Sequence, residues 1–72
     1  MLITLKNHIH NTTANVRPTK AGRLNDRQVK AAYRALCGQS DCQCQKVTSA
    51  ANEQGRKFYF TQSPNGADLT AF

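Results

Sequence analysis

The sequence predicts an α+β fold: a small antiparallel sheet of about four strands, in β-β-α-β-β order, with one amphipathic helix packed across it. Two observations indicate this fold. Apolar residues recur at helical spacing over Leu24 to Gly38, whereas apolar and polar residues alternate over Leu2 to His10 and over Arg56 to Gln62. A single helix and a few short strands bury their apolar faces only against each other, which gives two layers.

The helix is the element that the sequence defines best. Its apolar face follows the i, i+3, i+4, i+7, i+8 spacing and consists of Val29, Ala32, Tyr33, Leu36 and Cys37. Asn25 is a good N-cap, and Gln28 three residues later completes a capping-box pattern. Gly38 is expected to end the helix in the left-handed conformation.

Four segments are expected to form the strands. In the first, Ile3, Leu5 and Ile9 share the buried side, and a turn then leads to a second strand at Ala14 to Arg17. Phe58 and Phe60 give the third strand its buried side, and Leu69 to Phe72 forms the last. The expected core is Ile3, Leu5, Ile9, Val16, Val29, Ala32, Tyr33, Leu36, Phe58 and Phe60.

Two further segments lie between the helix and the third strand. Cys42 to Thr48 is predicted to be extended. Ser49 to Gly55 is polar and has no apolar stripe, so it is predicted to be a loop.

The length of the chain limits its core. Residues 1–72 form one domain, and a domain of this size buries only roughly 60% of the surface that its unfolded chain exposes. Additional support is therefore expected from a metal, a disulfide or self-association as a homo-oligomer. The odd number of cysteines, three, and the lack of a signal-like N-terminal run predict a reducing, cytoplasmic location. No apolar segment approaches the length of a membrane span.

The positive charge is concentrated in one part of the chain. The net charge is +6, and between positions 17 and 34 the only acid is Asp26. Six cations in this window form the predicted polyanion-binding set: Arg17, Lys20, Arg23, Arg27, Lys30 and Arg34. Nucleic acid or an anionic nucleotide is the partner class that such a potential attracts. The alternative is a solvated helix face that keeps a small protein soluble.

All three cysteines lie close together in the sequence, where the helix is expected to end. Cys37, Cys42 and Cys44 offer three sulfur ligands, and His10 or His8 from the first strand offers a fourth ligand, with His10 favoured. The cofactor prediction is therefore one zinc ion or none. The alternatives are reduced thiols with packing roles, an oxidised pair and an intermolecular bridge.

Nothing in the sequence predicts an enzyme. It has no glycine-rich phosphate loop, no serine in a nucleophile elbow and no recognisable pair of carboxylates. Cys37 lies at a helix C-terminus, where the helix dipole disfavours a thiolate, whereas redox catalysts place their reactive cysteine at a helix N-terminus.

Three short motifs carry a resemblance to a known group of proteins. These motifs are His10-Asn11-Thr12, Leu36-Cys37-Gly38 and Asp41-Cys42-Gln43-Cys44. Together they resemble a pattern found in small uncharacterised proteins of phages and other mobile elements, and the resemblance covers roughly the first 45 residues. It implies an inhibitor of a host defence system that docks on a host protein or sequesters a nucleotide signal.

Three functions are therefore in competition. The first is a non-enzymatic module that binds nucleic acid or another polyanion through the cationic helix face. The second is the inhibitor that the resemblance implies. The third is a metal-stapled structural domain.

Overall fold

The computed structural model describes residues 2–20, 22–39 and 41–72. Its elements in chain order are β1 (Ile3–Asn7), β2 (Thr12–Val16), β3 (Arg23–Asn25), α1 (Asp26–Leu36), β4 (Ser49–Asn52), β5 (Lys57–Ser63) and β6 (Gly66–Ala71). The strands form one antiparallel sheet in the order β2-β1-β4-β5-β6-β3, curled into a half-barrel. The predicted four-strand sheet in β-β-α-β-β order is therefore wrong.

Two strands account for the difference. β4 lies in the segment that was predicted to be a loop, and it pairs with β1 on one side and β5 on the other. Its only buried side chain is that of Ala50, and alanine and serine carry too little hydrophobic contrast to mark a strand. β3 has only three residues and pairs with β6 along the edge of the sheet. Cys42 to Thr48, predicted to be extended, contains no strand.

The helix is confirmed, with shorter bounds than the apolar pattern indicates. Both halves of the predicted capping box are present: the Gln28 backbone N–H donates to Asn25 Oδ1 at 2.8 Å, and the Asn25 N–H donates to Gln28 Oε1 at 3.1 Å. The left-handed ending at Gly38 is wrong. Cys37 caps the helix in an extended conformation (φ −153°, ψ 100°), with its N–H donating to the Tyr33 carbonyl.

The helix lies in the concave side of the curled sheet. It contacts β2 near one edge and both β6 and β3 at the other edge, so it closes the open side of the half-barrel. The buried apolar cluster between the two layers consists of Ile3, Leu5, Leu24, Val29, Ala32, Leu36, Val47, Ala50, Ala67 and Leu69.

Half of the expected core is fully buried. The prediction is confirmed for Ile3, Leu5, Val29, Ala32 and Leu36, whereas Val16, Tyr33, Phe58 and Phe60 are half-buried at its margin. The predicted burial of Ile9 is wrong. Its side chain is 68% exposed, because the chain turns after Asn7 and the alternation of buried and exposed residues along β1 stops there. Asn7 itself occupies the third inward position of β1 and is fully buried.

No helix among the described residues is long and apolar enough to cross a membrane.

The start of β6 passes very close to β3. Gly66 pairs with Asn25, and its φ of +141° lies in a region that favours glycine. A Cβ at this position would lie 2.0 Å from the Leu24 carbonyl oxygen. Because Leu24 is fully buried, the contact cannot be relieved without moving core backbone.

Gly66→Ala is therefore expected to lower the free energy of unfolding by about 3 kcal/mol, from overpacking and backbone strain together. Gly55→Ala is the matched control, because Gly55 also has a positive φ (+83°) but nothing lies within 4 Å of the added Cβ. Gly55→Ala is expected to lower the free energy of unfolding by about 1 kcal/mol, from backbone strain alone. Urea denaturation of both variants measures the difference, and equal losses would contradict the close approach.

Candidate metal centre

Four potential metal ligands lie together at one end of the sheet. They are His10, Cys37, Cys42 and Cys44, and one ligand atom from each lies within 4.8 Å of all the others. His10 Nε2 and Cys42 Sγ are 3.4 Å apart. The three cysteines are free thiols. The four residues chosen from the sequence can therefore hold a metal ion. His8, the alternative fourth ligand, is exposed and does not join them.

The position of His10 depends on the buried side chain of Asn7. As β1 ends, Asn7 Oδ1 accepts hydrogen bonds from the backbone N–H groups of Ile9 at 2.8 Å and His10 at 3.1 Å. Asn11 then takes a positive φ of 53° and turns the chain into β2. This turn directs the His10 ring back over the end of the helix.

Cys37 reaches the cluster because the helix stops one residue before it. Thr12, the first residue of β2, donates its hydroxyl proton to the Leu36 carbonyl at 2.6 Å, which satisfies one of the free carbonyls at the helix end. Cys37 is only 8% exposed, so it also packs at the edge of the core, as a buried cysteine commonly does. Its extended backbone starts the loop that carries the other two thiols.

The loop from residue 37 to 48 contains no helix or strand among its described residues. A few side chains and backbone contacts hold it. The Cys42 N–H donates to the Gln39 carbonyl, and Asn7 Nδ2 donates to Cys44 Sγ at 3.5 Å. Thr48 then ties the loop back to β1, with its N–H donating to the Lys6 carbonyl at 2.8 Å and its Oγ1 accepting from the His8 N–H at 3.0 Å.

The surroundings of Cys37 favour its thiolate. The pKa of Cys37 is lowered to about 7 by several neighbours together, of which hydrogen bonding with the Gln39 backbone is the strongest, against the opposing effect of burial. Hydrogen bonds with Cys44 and Cys42 and the charge of Lys46 also lower the pKa of Cys37. Since metals bind the thiolate, part of the deprotonation that binding requires is favoured in advance.

The pKa of Cys42 is shifted in the opposite direction, upward. A hydrogen bond with the Cys44 backbone lowers the pKa of Cys42, but hydrogen bonds with the Cys44 and Cys37 thiols, together with burial, outweigh it and raise the pKa. Cys37 and Cys42 therefore do not ionise independently, since a negative charge on one thiol disfavours a charge on the other. A bound cation would remove this repulsion.

The predicted polyanion-binding residues do not form one surface of free charges. Arg27, Lys30 and Arg34 line a shallow depression on the exposed side of the helix. Lys30 pairs there with Asp26 at 3.0 Å, one helical turn away. Arg23 lies apart from them, with its guanidinium bound to Asp68 and to the Ser63 hydroxyl.

The remaining two cations of this set lie before the helix. Arg17 and Lys20 are both exposed, and the Gln28 side chain donates to the Arg17 carbonyl, which holds that segment against the first turn of the helix. The Lys20 carbonyl accepts from the backbone N–H of Arg23.

Asn7 belongs to the candidate site although no sequence pattern predicted a role for it. A signal for its burial was present, because the alternation that buries Ile3 and Leu5 also places Asn7 inward. A buried amide needs partners, and the three side-chain hydrogen bonds that Asn7 forms with described residues go to the segments of the candidate ligands. Asn7 therefore acts as a support residue for two of the four ligands.

No protein-family model, curated protein or solved structure matches this chain. The resemblance to phage proteins therefore stays a prediction.

Asn7→Asp is expected to weaken metal binding about 10- to 100-fold, the usual cost of losing a supporting residue. The carboxylate still accepts from Ile9 and His10 but cannot donate to the Cys44 sulfur, and it adds negative charge beside the thiolates. Added Co²⁺ is a suitable probe, since thiolate coordination is visible in its absorption. Asn15→Asp, on the exposed side of β2, makes the same chemical change away from the cluster and is expected to leave the Co²⁺ affinity unchanged. Equal affinities in the two variants would contradict the role of Asn7.

Proposed function

We propose that this protein is a non-enzymatic β domain stapled by one structural zinc ion, which His10, Cys37, Cys42 and Cys44 bind. The clustering of these four side chains is the observation that carries the proposal. One imidazole and three thiolates form a donor set that suits zinc and disfavours magnesium or calcium, which prefer oxygen ligands.

The distances support tetrahedral coordination. Ligand atoms at tetrahedral zinc are separated by about 3.5–3.8 Å, given bond lengths of about 2.0 Å to nitrogen and 2.3 Å to sulfur. The pair of His10 Nε2 and Cys42 Sγ, at 3.4 Å, already has this spacing, and the widest pair, at no more than 4.8 Å, needs a contraction of about 1 Å. Four protein ligands leave no open position, which is the arrangement of structural rather than catalytic zinc.

The location of the cluster gives the metal a structural task. Its ligands come from three separate parts of the chain: the turn after β1, the end of the helix, and the loop that follows. The described part of that loop has one buried apolar residue, Val47, so its packing contributes little to its order. A zinc ion there fixes a loop that would otherwise cost much conformational entropy to hold.

A second candidate function rests on the exposed helix face. Neither Arg27 nor Arg34 forms an ion pair with a carboxylate of the described residues. Together with Lys30 they present cations one helical turn apart, a spacing that suits successive phosphates of a polyanion. This candidate is binding of nucleic acid, and it is compatible with a zinc-stapled domain behind it.

Zinc binding is tested by the pair His10→Ala and His8→Ala. Native mass spectrometry of the purified wild-type protein is expected to show one zinc per chain, and a strong chelator is expected to remove it and lower the melting temperature by more than about 10 °C. His10→Ala removes a ligand and is expected to lose zinc at chelator concentrations that leave His8→Ala fully loaded.

His10→Cys extends this test, because a fourth thiolate restores a four-ligand site and is expected to retain zinc. Wild-type protein that folds and melts identically with and without chelator would contradict the structural role. Equal zinc retention by His10→Ala and His8→Ala would contradict the assignment of the ligands.

Polyanion binding is tested with the double variant Arg27→Ala/Arg34→Ala. Its affinity for a fluorescent DNA duplex, measured by anisotropy, is expected to fall at least tenfold, and the slope of log affinity against log salt is expected to decrease by about 2. Lys6→Ala/Arg56→Ala removes the same charge from positions off the helix and is the matched control. Equal losses in the two double variants would show an effect of net charge alone, and binding that does not depend on salt would reject this candidate.

A further inference from the structure

The sheet opens between β4 and β5. These two strands pair at only two positions, Ala50 with Phe58 and Ala51 with Lys57, although β5 continues to Ser63. Before β4 the chain follows β1 instead, since the Thr48 N–H donates to the Lys6 carbonyl. Beyond Phe58, β6 is therefore the only strand beside β5 in the described ranges.

The backbone of β5 presents hydrogen-bonding groups to this opening. The Arg56 carbonyl accepts from Asn52 on the β4 side, whereas the Lys57 carbonyl accepts from Phe72 on the β6 side. Successive residues of a strand direct their backbone groups to opposite edges, so Phe60 and Gln62 direct theirs to the β4 side. There the described residues offer no backbone partner to either of them. This row of free groups is a template for one more strand.

A cleft lies beside the free edge. One part has a volume of about 550 Å³ and is lined on its exposed side by His8, Lys57 and Tyr59. A second part of about 360 Å³ reaches the helix side and is lined by Tyr33 and Lys46. The two parts share Gln45, Val47 and Phe60, so they adjoin each other along the edge of β5.

The charge of the cleft indicates which kind of extended peptide it can bind. Lys46, Lys57 and His8 line it, and no aspartate or glutamate does so. The apolar surfaces of Val47 and Phe60 lie between the cations, and the side chains of an added strand would alternate between the two sides of the sheet. A segment that alternates apolar and acidic residues matches both features.

We propose that this cleft binds an extended acidic peptide of a partner protein, which adds a strand to the free edge of β5 through the backbone groups of Phe60 and Gln62. This is β-strand addition, in which main-chain hydrogen bonds supply affinity and the flanking side chains supply specificity. The pairing edge itself, formed by Phe60 and Gln62, contains no metal ligand, although Cys44 of the proposed zinc site lines the second part of the cleft.

The test uses the full chain as purified, labelled with ¹⁵N, and a capped peptide of alternating valine and glutamate. Binding at submillimolar concentration is expected, with hydrogen exchange at the Phe60 and Gln62 amides slowed at least about tenfold. A peptide with lysine in place of glutamate is expected to bind at least tenfold more weakly. A protein that shows no amide change with millimolar peptide would overturn the proposal.

Two variants at one position isolate the backbone contact. Gln62→Pro and Gln62→Ala both remove the side chain that accepts from Tyr33, but only proline also removes the N–H that faces the cleft. Gln62→Ala is expected to retain peptide binding and Gln62→Pro to lose it, with the β6 ladder intact in both. If Gln62→Pro does not fold, the exchange protection in the wild-type protein decides.

The same spectra identify other occupants of the cleft. Protection of Phe60 and Gln62 that grows with protein concentration in the absence of peptide would assign the edge to a second copy of the chain. Shifts around Tyr59 and Lys57 on addition of oligothymidylate, with no response to the acidic peptide, would assign the cleft to single-stranded nucleic acid. Either result overturns the proposal.

Discussion

The buried amide of Asn7 links two of the three chain segments that meet at the candidate metal centre. Its oxygen fixes the turn that carries His10, and its nitrogen donates to the sulfur of Cys44. No buried side-chain nitrogen or oxygen among the described residues lacks a hydrogen-bond partner, so this polar side chain costs little where it lies. If the amide is lost, the turn and the loop lose their common attachment.

The apolar core and the proposed metal ion would stabilise different parts of the domain. The apolar cluster holds the helix in the half-barrel, but its margin passes through small or half-buried residues such as Ala14 and Val16. At the end of β1 that carries Asn7, the facing residues of β2 are the polar Thr12 and Thr13. The proposed metal ion would stabilise by coordination what a chain of this size cannot stabilise by burial.

The sequence was informative where a short local pattern defines the feature. It identified the cysteines with His10 as one candidate site, but left metal binding, packing and oxidation open as their use. The capping box of the helix is specified by two residues, Asn25 and Gln28, three positions apart. The sheet was less predictable, because β4 is built from serine, alanine and asparagine, which also occur in loops. β3 forms only through its pairing with β6, across more than 40 positions of the sequence, and local patterns carry no information about such a contact. The predicted burial of Ile9 is wrong for a related reason. The turn that Asn7 fixes ends β1, so the alternation of buried and exposed residues does not continue to Ile9.

X-ray absorption at the zinc edge, on protein purified without chelator or added metal, tests the central claim most directly. The account predicts a four-coordinate shell with three sulfur atoms at about 2.3 Å and one nitrogen at about 2.0 Å. A shell of oxygen and nitrogen alone, or protein that folds fully without zinc, would contradict it.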